Sequence, residues 1–241
     1  MDDSPLQRLS GDWQRALAVV AHPDDVEYGM AATVAHFTRQ GKWIGYLLAS
    51  RGEAGIDDRH PDEAGPLREA EQRAAAAMVG VDTVEFLGYP DGTITYSLDL
   101  RSDIAVAIRR HRPEVVFTAN HHDRFGPGAF NMADHRAVGL AAIDAVRDAA
   151  NRWVFSDRIE SNSPAWQGVS MIAVAASPQA THAVDITDTF DVGLASLAEH
   201  RVYLAALGPE RDPVPMLRTF AEQAGRRLGT PLAAAFEVID P

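Results

Sequence analysis

One histidine, one proline and two aspartates follow one another at His22-Pro23-Asp24-Asp25, directly after the apolar run Leu17-Ala18-Val19-Val20-Ala21. An imidazole beside paired carboxylates suits general acid–base work or the binding of a divalent cation through nitrogen and oxygen. Two adjacent carboxylates repel each other unless a cation or water lies between them, which favours a metal site. Helix capping is the simpler alternative, since Asp is a common N-cap and suits the positive end of the helix dipole. Capping accounts for one aspartate and leaves the other, and the histidine, without a role. The chain contains no cysteine, so thiolate ligands, catalytic thiols and disulfides are excluded and any metal is held by His, Asp or Glu.

The elements that must position these groups alternate. Leu17 to Ala21 has no polar face, as in a central parallel strand covered on both sides, and Pro23 ends it. A helix over Gly29–Gln40 closes at Gly41, and Trp43–Ala49 reads as a second strand that leaves through Ser50-Arg51-Gly52-Glu53-Ala54-Gly55. A charged loop from Asp57 to Glu63 leads to Pro66, placed as an N1 proline, and an Ala-rich helix runs to Val79. A short strand, Thr83–Leu87, ends in the turn Gly88-Tyr89-Pro90-Asp91-Gly92, and a helix over Leu100–His111 precedes the strand Glu114–Ala119. The loop Asn120–Ala133 carries His121, His122, Asp123 and Arg124 and is long enough to be functional. Asp134 begins a helix that reaches Ala150. Beyond it lie apolar segments over Val169–Ala176 and Ala183–Ile186 and helices over Phe190–Leu207 and Pro215–Leu228.

Strand and helix patterns in this order predict an α/β fold with a mainly parallel sheet and helices on both faces. No linker and no fixed-period repeat divides the 241 residues, so a single domain is expected. In open α/β sheets ligands bind beyond the carboxyl ends of the strands, where His22, Asp24 and Asp25 stand.

A net charge of −12 with no basic tract argues against nucleic acid and anionic membranes as partners. The start, Met1-Asp2-Asp3-Ser4, has neither the basic region nor the apolar stretch of a signal peptide or membrane span, so a cytoplasmic protein is expected. No G-x-G-x-x-G follows the first strand, which removes a dinucleotide site.

Four segments taken together, Ala-His-Pro-Asp-Asp at 21–25, Arg-Gly-Glu-Ala-Gly at 51–55, Leu-Arg-Glu-Ala-Glu at 67–71 and Asp-His-Arg-Ala-Val at 134–138, resemble the LmbE-like, or PIG-L, family of zinc-dependent N-acetylglucosamine deacetylases. The resemblance spans roughly residues 15 to 205 and implies a Rossmann-like fold and hydrolysis of the N-acetyl group of a small amino-sugar conjugate. It makes His22, Asp25 and His135 ligands of Zn2+, or of another divalent ion, and Asp24 the general base. It also places Glu53, Arg68 and Asp91 in sugar-binding segments and His200 in a late active-site segment. One departure stands out: Met132 occupies the position where the family commonly has the first His of His-Pro-Asp-His, and a thioether can neither donate a strong hydrogen bond nor carry a proton. His121, His122 or His200 is then expected to take over that role. An amidase acting on a bulkier conjugate shares every catalytic residue, while a non-catalytic sugar-binding relative would fit the loss at Met132. A homo-oligomer is compatible with the sequence.

Overall fold

A two-residue strand, β1 (Gln7–Arg8), precedes the apolar run, which forms β2 (Arg15–Val20). Along β2, Ala16, Ala18 and Val20 point into one buried cluster, while Leu17, Val19 and the following Ala21 point into another. A strand apolar on both faces needs cover on both sides. The computed structural model, which describes residues 4–126, 128–158 and 164–241, supplies it. The acidic start at Met1 to Asp3 lies outside the described residues.

After β2 come a short helix α1 (Asp25–Gly29), α2 (Ala31–Thr38), β3 (Trp43–Leu48), α3 (Pro61–Met78), β4 (Thr83–Phe86), α4 (Leu98–His111) and β5 (Val115–Ala119). A small hairpin of β6 (Arg124–Gly126) and β7 (Ala129–Phe130) leads into α5 (Ala133–Ala150). The last third contains β8 (Met171–Ala175), β9 (His182–Asp185), α6 (Phe190–Leu197), α7 (Arg201–Leu207), α8 (Val214–Leu228) and β10 (Ala233–Ile239).

The main sheet has eight strands in the order β1-β9-β10-β8-β5-β2-β3-β4. The pairings β2–β3, β2–β5, β3–β4 and β5–β8 are parallel, and β10 runs antiparallel to both β8 and β9. Residues of α1, α2, α3 and α6 fill one cluster, and residues of α4 and α5 fill the other. The chain leaves β2 toward β3 and returns through β5 on its other side, so a crevice opens between the carboxyl ends of β2 and β5.

Three expectations are corrected and one strand is added. The first helix breaks at Met30, whose φ of −151° is not helical, into α1 and α2. The third helix begins at Pro61, not Pro66: His60 is its N-cap, its imidazole accepts from the Asp62 N–H, and Pro66 sits within the helix. The segment 190–207 is two helices with a bend at residues 198–200. Strand β10 went unread because Ala233-Ala234-Ala235 carries little β-propensity; pairing between β8 and β9 supplies what the local sequence lacks.

Candidate active site

The end of β2 gathers the site. Asp25 Oδ2 accepts the backbone N–H groups of Ala21 at 3.0 Å and His22 at 2.9 Å, which turns its other oxygen, Oδ1, outward to lie 3.0 Å from His135 Nε2. His22 presents Nδ1 to Asp25 at 3.7 Å, and its ring lies 5.1 Å, centroid to centroid, from that of His135. A nitrogen from each imidazole and an oxygen of Asp25 thus fall within 4.8 Å of one another.

The far side of each group is already engaged. His22 Nε2 lies 3.2 Å from Asp134 Oδ2 and 3.2 Å from Asp91 Oδ1. Asp134 in turn accepts from the Gly92 and Ile94 amides, and Asp91 from the Ala54 amide. His135 Nδ1 faces Asn131 Oδ1 at 3.1 Å. The amide of Asn131 is oriented by its nitrogen, which donates to the carbonyls of Asn120 and His122, so Oδ1 accepts from His135 Nδ1 and Nε2 is the ring atom turned to Asp25. Outer partners of this kind orient the imidazoles of metal sites.

Electrostatics agree with the geometry. Burial alone would lower the pKa of His22, yet Asp134, Asp25 and Asp91 outweigh it and raise it to about 10. Burial also opposes charge on His135, and Asp25 again turns the shift upward. Asp25 is buried, yet the two imidazoles hold its carboxyl well below the usual range. The carboxylates thus favour positive charge on the two imidazoles.

Asp24 occupies the N-cap position of α1 but makes no side-chain cap. Its backbone is left-handed, with φ 87°, and its N–H donates to Gln72 Oε1 at 2.9 Å. Its carboxylate lies 3.3 Å from Arg68 Nη2. Burial pushes this carboxyl up, Arg68 pulls it down and Asp25 pushes it up again, leaving it at about 6. Arg68 is 3% exposed and also donates to the carbonyls of Pro23 and Gly52, with the Tyr203 ring 3.9 Å from its guanidinium carbon. Gly52 is required there: its φ is +66°, and a β-carbon would strike the guanidinium.

Glu53 accepts from the Asp91 and Arg51 amides and so joins the loop after β3 to the loop after β4. Glu53 and Asp91 therefore engage both carboxylate oxygens within the chain, and Arg68 engages its two terminal guanidinium nitrogens there. His200 does not reach the cluster. It is fully buried at the bend before α7, with Nε2 3.3 Å from Glu27 Oε2. His122 is bonded to Glu237, while Met132 is 54% exposed at the N-cap of α5. Beside it the β6–β7 hairpin exposes Phe125 and Phe130, with the Phe125 ring 6.2 Å from that of His135.

Sequence reasoning did not single out Glu27, Gln72 or Asn131. Gln72 Nε2 donates to Glu27, which also accepts from Ser196, so a buried polar chain runs from the Asp24 amide to His200. The one available signal was the i, i+4 spacing of Arg68 and Gln72, which puts that pair on one side of a helix.

Residues 17–146, more than half of the chain, match the family model described as PIG-L: GlcNAc-PI de-N-acetylase. A diacetylchitobiose deacetylase from Thermococcus kodakarensis is 28% identical over 204 residues, covering 82% of this chain and 73% of that protein. A 1D-myo-inositol 2-acetamido-2-deoxy-alpha-D-glucopyranoside deacetylase from Geodermatophilus obscurus is 32% identical over 166 residues, covering 58% of this chain and 56% of that protein. This chain thus spans just over half the length of the second relative. The crystal structure of N,N'-diacetylchitobiose deacetylase from Pyrococcus horikoshii superposes with a TM-score of 0.85 at 26% identity, covering 95% of this chain and 85% of that one.

Proposed function

Because this chain belongs to the PIG-L family, we propose that it is a metal-dependent hydrolase that removes the N-acetyl group from an N-acetylglucosaminyl conjugate. The observation that carries this reading is the meeting of one ring nitrogen of His22, one of His135 and a carboxylate oxygen of Asp25, each residue braced from behind. Two imidazoles and one carboxylate are a donor set of catalytic zinc, which keeps its fourth position open. Such a cation supplies Lewis acidity toward the acetamide oxygen and makes water more acidic.

The chain's own residues do the rest. Asp24 takes a proton from the attacking water as oxygen bonds to the amide carbon, and passes it to nitrogen as the C–N bond breaks, leaving acetate and a free amine. Arg68 and the Gln72 hydrogen bond hold Asp24 in its left-handed turn, and His200, beside Glu27, is a positioning residue behind it. Asp91 and Asp134 fix His22, while Glu53 sets the loop that bears Asp91. The exposed rim of Phe125, Phe130 and Met132 suits a conjugate whose aglycone has an apolar face.

The test is acetate release from a panel of N-acetylglucosaminides before chelation, after it, and after zinc is returned. Release that chelation abolishes and zinc restores is the expected result; tight metal binding without acetate from any member of the panel would overturn the deacetylase reading.

A further inference from the structure

Loop β5–β6 carries two adjacent histidines that the proposed reaction does not use. One ring nitrogen of His121, one of His122 and a carboxylate oxygen of Glu237 lie within 4.8 Å of one another. The two rings lie 4.1 Å apart at 35°. His122 Nε2 is 2.7 Å from Glu237 Oε2, and Nδ1 of His121 is buried without a hydrogen-bond partner.

Four features argue that the arrangement is built. Glu237 comes from β10, more than a hundred residues away in sequence, and stands opposite Val174 of β8 on the face shared with α5. Ser177 Oγ donates to the same Glu237 oxygen at 2.6 Å and so holds the carboxylate toward the histidines. The loop is fixed from within, because the His122 amide donates to Asn120 Oδ1 and its carbonyl accepts from Asn131. A serine–histidine–carboxylate hydrolytic triad is not formed, since serine and histidine both bond the carboxylate and not each other. Helix α5 leaves room for His121 through Gly139, where a β-carbon would collide with the His121 β-carbon.

We infer that His121, His122 and Glu237 form a second site for a first-row divalent cation such as zinc, separate from the His22, Asp25 and His135 site. Two imidazoles and one carboxylate, with no thiolate, are a nitrogen–oxygen set that such ions take in preference to calcium or magnesium. The role is structural. The His122 carbonyl holds the Asn131 amide whose oxygen orients His135, so an ion that pins the loop to β10 also steadies a ligand of the first site.

The experiment is zinc stoichiometry and affinity by calorimetry and elemental analysis on the full, untagged chain after stripping with chelator. Two equivalents are expected for the unaltered protein. His122→Ala retains only the equivalent that depends on His135, and His135→Ala retains only the other. Glu237→Gln, which keeps the shape of the residue while removing its charge, weakens the second equivalent at least tenfold; a circular-dichroism melt of each variant establishes that it is folded. A single equivalent that survives His122→Ala and is lost in His135→Ala overturns the second site and leaves the proposed function intact. A single equivalent with the opposite dependence overturns the first site instead. Two equivalents that both survive His122→Ala and Glu237→Gln also overturn the inference.

Discussion

At Asp24 the backbone turns through φ 87° while Asp25 enters α1, and this difference gives neighbouring carboxylates different surroundings. Asp25 has one oxygen committed to two backbone amides and the other aimed at His135. Asp24 has Arg68 and the Tyr203 hydroxyl beside its carboxylate, and no imidazole or backbone amide ties it as Asp25 is tied. Asn tolerates the left-handed region better than most residues, which makes Asp24→Asn a clean substitution. We expect it to keep its metal and its melting temperature while kcat falls by ~10²–10⁴-fold, the usual worth of a general base. A variant with near-native acetate release would remove Asp24 from that role. Of the residues that meet in the candidate site, His22, Asp24 and Asp25 stood out in sequence because one strand exit carries all three, whereas His135 was singled out only by the family resemblance. Their braces were not: Gln72 meets the Asp24 amide and Asn131 meets two loop carbonyls only after folding, and no local pattern announces a partner 48 residues away.

Among the elements, the exits of β2, β3, β4 and β5 all contribute to the site, and each was readable as an apolar run ending in polar residues. Where elements broke unexpectedly, tertiary contact outweighed local preference. The bend at residues 198–200 lets His200 turn inward onto Glu27, which no periodicity in Phe190–Leu207 discloses. Edge strand β4 illustrates an element held by charge. Glu85 pairs with His111 Nε2 and Arg110 Nη2, both at 2.8 Å, at the end of α4. The His111 hydrogen bond, with Arg110 assisting, lowers the Glu85 pKa against the opposing effect of burial. A carboxyl whose folded pKa is depressed contributes stability above its unfolded value, and that contribution is lost as pH falls through the folded value. Glu85→Gln should therefore melt below the unaltered protein at pH 7, with the gap closing under pH 4. Melts across that range check it, and a gap independent of pH would show that the carboxylate charge contributes nothing.

For the molecule as a whole, the candidate metal groups join segments distant in sequence: His22 and Asp25 with His135, His22 with Asp91 and Asp134, and His121 and His122 with Glu237. A ligand that binds only the folded chain raises its stability by ~2.7 kcal/mol at a hundred times its dissociation constant. For a chain of this length that is a rise in Tm on the order of 5 to 10 °C on returning zinc to stripped protein. Differential scanning calorimetry measures it, and an unchanged Tm would mean that the folded state holds no zinc. Among the described residues no helix is long and apolar enough to cross a membrane. Strand β10 has a further consequence for how such a chain is made. It is the last strand in sequence yet sits between β8 and β9, so during synthesis β1 and β9 have no link to the rest of the sheet until residues 233–239 clear the ribosome. Up to that moment the nascent chain carries open strand edges on β8 and β9, the kind of surface that recruits chaperones or aggregates, and the ribosome exit tunnel withholds the piece that seals them.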